Sequence, residues 1–243
     1  MRLGMTRCDS TTAQLCFTLA QMSRGAFITF EGSEGCGKST QVLRLAARLE
    51  HAGVRTLVTR EPGGTPIGEK IRDLLQFAPE SFAMTPEAEV LLFAASRSQL
   101  VRETIQPALD QGTVVISDRF FDSTTVYQGV ARKLSPEIVE TLNSFAIGPA
   151  RPDVTFILEV DVETARARIL RRVRPVAVHD RMEQEPVEFY ERVCQGYRDL
   201  AKREPDRFIV IDGRQSPDAI ETQIWDALTS RLPAFASLSQ SKI

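Results

Sequence analysis

The densest chemistry in the chain lies in Gly32-Ser33-Glu34-Gly35-Cys36-Gly37-Lys38-Ser39-Thr40, which matches the pattern GxxxxGK[ST]. Glycines at these spacings let the backbone wrap closely enough for its N–H groups to point at phosphate oxygens. Lys38 adds a full positive charge, and the Ser39 hydroxyl is placed to ligate Mg2+ beside a triphosphate. Residues 32–40 are therefore the expected ATP cradle, with Lys38 as a catalytic cation. A chance match is the bland alternative, and the apolar run before the loop and amphipathic run after it count against chance. A guanine-reading NKxD element is absent from the sequence, and no DxxG follows the third apolar run, so a GTPase switch loses both of its usual supports.

A second set of residues has the chemistry of an acceptor site. Arg60 follows one apolar run, and Asp118-Arg119 follows another. A carboxylate at a strand end suits a Mg2+ shell, and a guanidinium beside it can fork onto a phosphate. For either arginine alone, a surface salt bridge is an equal reading. Phe93 and Arg97 stand four apart on one helix face, so a ring and a guanidinium there can stack on and bond to a flat base, although Phe93 with Leu92 also suits a core. Ser123, Thr124 and Tyr127 offer polar groups for a base edge and a sugar. A phosphate acceptor with a second pKa near about 6 needs little help from a general base, so His51 and His179 are not required as catalysts.

These groups must be held by a scaffold. Five apolar, β-rich runs (Ala26 to Glu31, Val54 to Thr59, Thr113 to Ser117, Val154 to Val160, Phe208 to Ile211) alternate with helix-period segments. That alternation predicts one α/β domain over residues 24–232, with a parallel sheet and crossover helices. Ligands in such sheets collect at the carboxyl ends of strands, where the candidate residues fall. Glu87 to Leu109 reads as one long helix. Arg166, Arg168, Arg171, Arg172 and Arg174 crowd a helix end and lead into Asp180-Arg181-Met182-Glu183. Charges this dense suit a mobile lid, about 168–185, that gains from closing over phosphates, or else a solvated helix face. The P-loop carries no arginine, so a cation neutralising the transferring group has to come from elsewhere, and this segment is the expected source.

A formal charge of -2 over 243 residues gives no global basic footprint, so neither nucleic acid nor a membrane is an expected partner. The four cysteines are scattered without metal-ligand spacing, which fits a reducing, cytosolic setting. Residues 1–23 read as an upstream or disordered extension, and 233–243 as a frayed tail.

The segments FEGSEGCGKST, TREPGGTPIGEKIR, LLFAASRSQLV, SDRFFDSTTVYQG, RPDVTFILEV and DRMEQE, in that order, closely resemble bacterial thymidylate kinases over about residues 25–232. The resemblance implies a P-loop NTPase fold, three-layer α/β/α with a five-stranded parallel sheet. It implies ATP with Mg2+, dTMP as acceptor, and a homodimer. It further implies that Glu34 accepts from the dTMP 3'-hydroxyl, Arg60 and Arg119 hold the dTMP phosphate, and Phe93 stacks on thymine. Arg97 would reach thymine O4, Thr124 the N3 edge, and Tyr127 would fill the space of a 2'-hydroxyl. Pro62 is expected in a cis peptide with Glu61. The sequence is similar to the subclass whose catalytic arginine lies in the lid, with Arg168 and Arg172 the first choices. Cys36 stands where alanine is expected, and a thiol near a helix N-terminus is a candidate for alkylation that blocks ATP.

Overall fold

The computed structural model describes residues 24–171 and 181–240. Five strands, β1 (Phe27–Glu31), β2 (Thr56–Arg60), β3 (Val114–Asp118), β4 (Val154–Glu159) and β5 (Phe208–Asp212), form one parallel sheet in the order β2-β3-β1-β4-β5. Every expected strand is present, within two residues at either end. Strand β1 is buried along its whole length because it lies at the centre, with β3 and β4 on its flanks. Chain direction away from β1 differs on the two sides, which opens the crevice at the carboxyl ends where α/β proteins bind ligands.

The helices are α1 (Lys38–His51), α2 (Pro66–Gln76), α3 (Pro86–Leu100), α4 (Gln106–Asp110), α5 (Phe121–Thr124), α6 (Pro136–Ile147), α7 (Val162–Leu170), α8 (Val187–Arg203) and α9 (Pro217–Arg231). Four starts share one local device. Thr65, Thr85, Ser135 and Ser216 each accept a backbone N–H with the side chain, and proline occupies the next position, where its missing N–H costs nothing. Asp161 caps α7 through Thr164 N at 2.7 Å.

The long helix expected over 87–109 is two helices joined by a π turn, Val101–Ile105. Pro107 has no N–H to give to Glu103, and the widened turn around Glu103 absorbs the mismatch. A second π segment, Thr125–Ala131, follows α5.

One core packs α1 and α9 on one sheet face, with Ile28, Phe30, Leu45, Leu49, Phe156, Ile224 and Trp225. On the opposite face, Phe27, Val115, Leu100, Ile105 and Phe120 pack together, and Val126, Tyr127, Phe189, Val193 and Tyr197 bring α8 against the π segment. The result is the expected three-layer arrangement. The expected frayed tail is corrected over Pro233–Gln240. That segment is a 3-10 helix whose Phe235 and Leu238 are buried in the first core, because these two apolar side chains, three apart, fall on the face turned to α9.

Candidate active site

Strand β1 ends in Glu31, and Gly32, Gly35 and Gly37 then take positive φ values of 134°, 77° and 105°. A side chain at Gly35 would put its Cβ 2.6 Å from the Ala165 carbonyl, so glycine is required both by conformation and by the close approach of α7. Lys38 is buried and donates to the carbonyls of Gly32 at 3.2 Å and Ser33 at 2.9 Å, which fixes its ammonium over the loop. Ser39 and Thr40 are exposed. Ser39 Oγ donates to Asp118 Oδ2 at 2.5 Å across the β1–β3 gap, which brings the two proposed metal ligands together.

Arg119 is the centre of the site. Its backbone adopts φ 71°, and its N–H donates to Phe30 O at 2.9 Å, so the chain leaving β3 folds back over β1. The guanidinium donates to Glu34 Oε1 at 2.5 Å, to Gly32 O at 3.1 Å and to Ser123 Oγ at 3.0 Å. It also lies 5.1 Å from the centre of the Tyr127 ring. Burial pulls the Arg119 pKa down, but Glu34 together with Glu31 outweighs it, so the group is held firmly as a cation. Tyr127 is buried between Phe189 and Tyr197, and burial raises its phenol well above the ordinary value, so it acts as a neutral hydroxyl. Glu34, Arg119, Ser123 and Tyr127 are thus one contiguous cluster.

Two members of this cluster are not among the residues singled out from the sequence. Glu31 is fully buried and accepts from Phe120 N, Ser123 N, Ser123 Oγ and Tyr197 Oη at 2.9, 3.2, 2.6 and 2.8 Å. Burial and the nearby Asp122 raise its pKa, against the pull of Arg119. Its position as the charged end of a strand buried along its whole length is a usable signal. Tyr197 arrives from α8, 166 positions away, and nothing local announces it.

Arg60 lies apart on the rim, exposed and paired with Glu69 Oε2 at 2.7 Å, one strand over from Asp118. The Glu61–Pro62 bond is cis, as expected, and Pro62 is buried. Phe93 is half-buried on α3. Arg97 has no exposed surface. It donates to Glu61 Oε2, Asn143 Oδ1 and Thr124 Oγ1 at 2.8, 3.0 and 2.9 Å. Thr124 is likewise buried, so these two meet each other rather than an open pocket in this arrangement.

The arginine-rich segment divides. Arg168 donates to Gly213 O at 2.8 Å and more weakly to Cys36 O at 3.5 Å, which places it directly behind the P-loop. Arg172 and Arg174 lie outside the described residues. Arg181 is a buried anchor, not a free lid cation: it donates to Leu75 O at 3.2 Å and pairs with Glu89, which also holds Arg132 and Gln128. Cys36 corrects another expectation. Its side chain is fully buried in the core beneath the loop, so its thiol is closed to reagents.

Comparison with known proteins decides the family. Residues 30–224 match the sequence model described as Thymidylate kinase. The chain belongs to the thymidylate kinase family. A Geobacter sulfurreducens thymidylate kinase is 49% identical over 211 residues, covering 86% of this chain and 99% of that protein. One from Deinococcus radiodurans is 44% identical over 210 residues, covering 86% and 99%. The crystal structure of thymidylate kinase from Ehrlichia chaffeensis superposes with a TM-score of 0.67 at 33% identity, covering 84% of this chain and 98% of that one. The five-stranded parallel sheet and its P-loop are thus the fold of the thymidylate kinase family. Among the described residues, no helix is long and apolar enough to cross a membrane.

Proposed function

We propose that the protein transfers the γ-phosphoryl group of ATP to dTMP, giving dTDP and ADP on the route to dTTP. The observation that carries this reading is the Arg119 guanidinium, which touches the P-loop at Gly32 and Glu34 and the acceptor wall at Ser123 and Tyr127. One cation thereby borders both phosphate sites. A dTMP phosphate oxygen attacks the γ-phosphorus while the β–γ bridging P–O bond breaks towards ADP. No general base is needed, since the acceptor is largely dianionic at neutral pH. Lys38 and Arg119 stabilise charge that spreads over the transferring group.

Arg60 is proposed as a second grip on the dTMP phosphate, released from Glu69 when the ligand arrives. Glu34 is proposed to accept from the 3'-hydroxyl, Tyr127 to exclude a 2'-hydroxyl, Ser123 to line the sugar, Phe93 to stack on thymine, and Arg97 with Thr124 to read its edge once the wall before them opens. Pro62 is proposed as a further wall of that site. The hydroxyl of Ser39 and the carboxylate of Asp118 are hard oxygen donors, two in number, which suits Mg2+ completed by phosphate oxygens and water. Mg2+ would neutralise and orient the ATP phosphates. Arg168, behind the loop, and Arg172 are the proposed lid arginines.

We further propose a cytoplasmic homodimer. Leu91 on α3 and Ile138 and Phe145 on α6 are 54%, 59% and 75% exposed on two helices that pack together, an apolar face suited to a second copy.

A coupled ADP assay with ATP and Mg2+ against dTMP, dUMP, dCMP, dGMP and AMP tests the reading. Turnover is expected to be fastest with dTMP. Rapid turnover with AMP and none with dTMP would overturn it.

A further inference from the structure

We propose that Glu61 is a specificity-determining positioning residue, whose carboxylate holds the Arg97 guanidinium in the orientation from which Arg97 and Thr124 meet the thymine edge. This inference rests on the functional reading above.

Glu61 follows Arg60 directly, so the two side chains leave the end of β2 in opposite directions. Arg60 stands on the phosphate side, while Glu61 turns inward to α3. Its backbone N–H donates to Asp118 O at 3.0 Å, which ties the same residue to the metal and phosphate end of β3. A single turn therefore sets the spacing between the phosphate grip and the base grip.

The carboxylate is almost fully buried and is held from one side. Oε2 receives Arg97 Nε at 2.8 Å and lies 2.7 Å from Arg97 Nη2, while the buried Oε1 has no hydrogen-bond partner among the described residues. Among the described residues, every other acceptor on Arg97 is neutral: Asn143 Oδ1, Thr124 Oγ1 and Phe120 O. Glu61 is thus the charge partner of a guanidinium with no access to water. Without it, Arg97 keeps its cation but loses the contact that fixes its Nε edge. Burying such an ion pair costs the desolvation of both groups, and orienting a base-reading arginine is the function that accounts for it.

The test is steady-state kinetics of Glu61→Gln at saturating ATP and Mg2+. The KM for dTMP is expected to rise about tenfold, the size of one lost charge-assisted hydrogen bond. The kcat should stay within about twofold, a split that general loosening of the fold would not produce. A KM within twofold of wild type overturns the inference. If that variant does not fold, Glu61→Asp, which keeps the charge on a shorter stem, gives a second measure; an unchanged KM for dTMP overturns it as well. Arg97→Lys separates the two levels. A raised KM there with no effect of Glu61→Gln removes the role of Glu61 alone, and no effect of either removes both roles. Absence of any dTMP turnover in the wild type overturns the functional reading itself.

Discussion

Arg119 occupies a left-handed backbone conformation that costs a side-chain-bearing residue on the order of 1 kcal/mol, yet five polar groups surround its guanidinium. The strain is sustained because that geometry alone turns the side chain from β3 back over the P-loop. Arg119→Ala is expected to lower turnover with dTMP at least about a hundredfold, the scale set by removing a charged transition-state donor. ATP binding should persist, since Lys38 and the loop backbone are untouched. Equal loss of ATP affinity, measured by calorimetry, would move Arg119 to the donor site. The same scale settles the cysteine. Iodoacetamide should leave Cys36 of the folded protein unmodified while reaching the half-buried Cys194, as peptide mass mapping will reveal; rapid Cys36 labelling would contradict its burial.

Among the elements, the C-terminal 3-10 helix contributes more than its composition suggests. Phe235 is wholly buried against α9 and the sheet, in one cluster with Trp225 and Leu228. Phe235→Ala should cost about 3–5 kcal/mol of unfolding free energy by cavity formation. Chemical denaturation measures this, and a loss below about 1 kcal/mol would mean that the segment is a loose appendage. Periodicity could not reveal it, because Pro233–Gln240 is too short and too rich in small residues to carry a helical stripe; its partner surface exists only once α9 has folded. The π turns are a similar case. Pro107 was visible in the sequence, but whether the helix would break, kink or widen depended on the packing of Leu100, Val101 and Ile105 against the sheet.

At the scale of the whole molecule, buried carboxyls oppose one another in their dependence on pH. Glu61 is raised to about 7, and Glu31 and Asp122 are raised by burial. Where the folded pKa exceeds the unfolded value, the native state holds the extra proton, so stability is lost as pH rises from the ordinary carboxylate range through the folded value. For Glu61 this amounts to roughly 3 kcal/mol between about pH 4.5 and 7. Glu89 behaves oppositely: burial alone would raise it, but Gln128, Arg132 and Arg181 bring it below its usual value, so its contribution is lost on acidification. Denaturation midpoints compared across this range should show wild type losing stability relative to Glu61→Gln up to about pH 7 and holding level above it. A constant difference from pH 5 to 8 would be inconsistent with a raised Glu61 pKa.

The sequence by itself determined the phosphate loop, the five strands and the family. These rest on glycine spacing, alternating periodicity and ordered motifs, each of which acts within a few residues. Only the tertiary structure decided that Glu31 and Tyr197 join the site, that Arg181 is an anchor rather than a lid cation, and that Cys36 is closed off. It also decided that Arg97 faces Glu61 across the β2–α3 junction. Burial and charge pairing arise between segments distant in the chain, and spacing along the sequence carries no record of which carboxylate each arginine will meet.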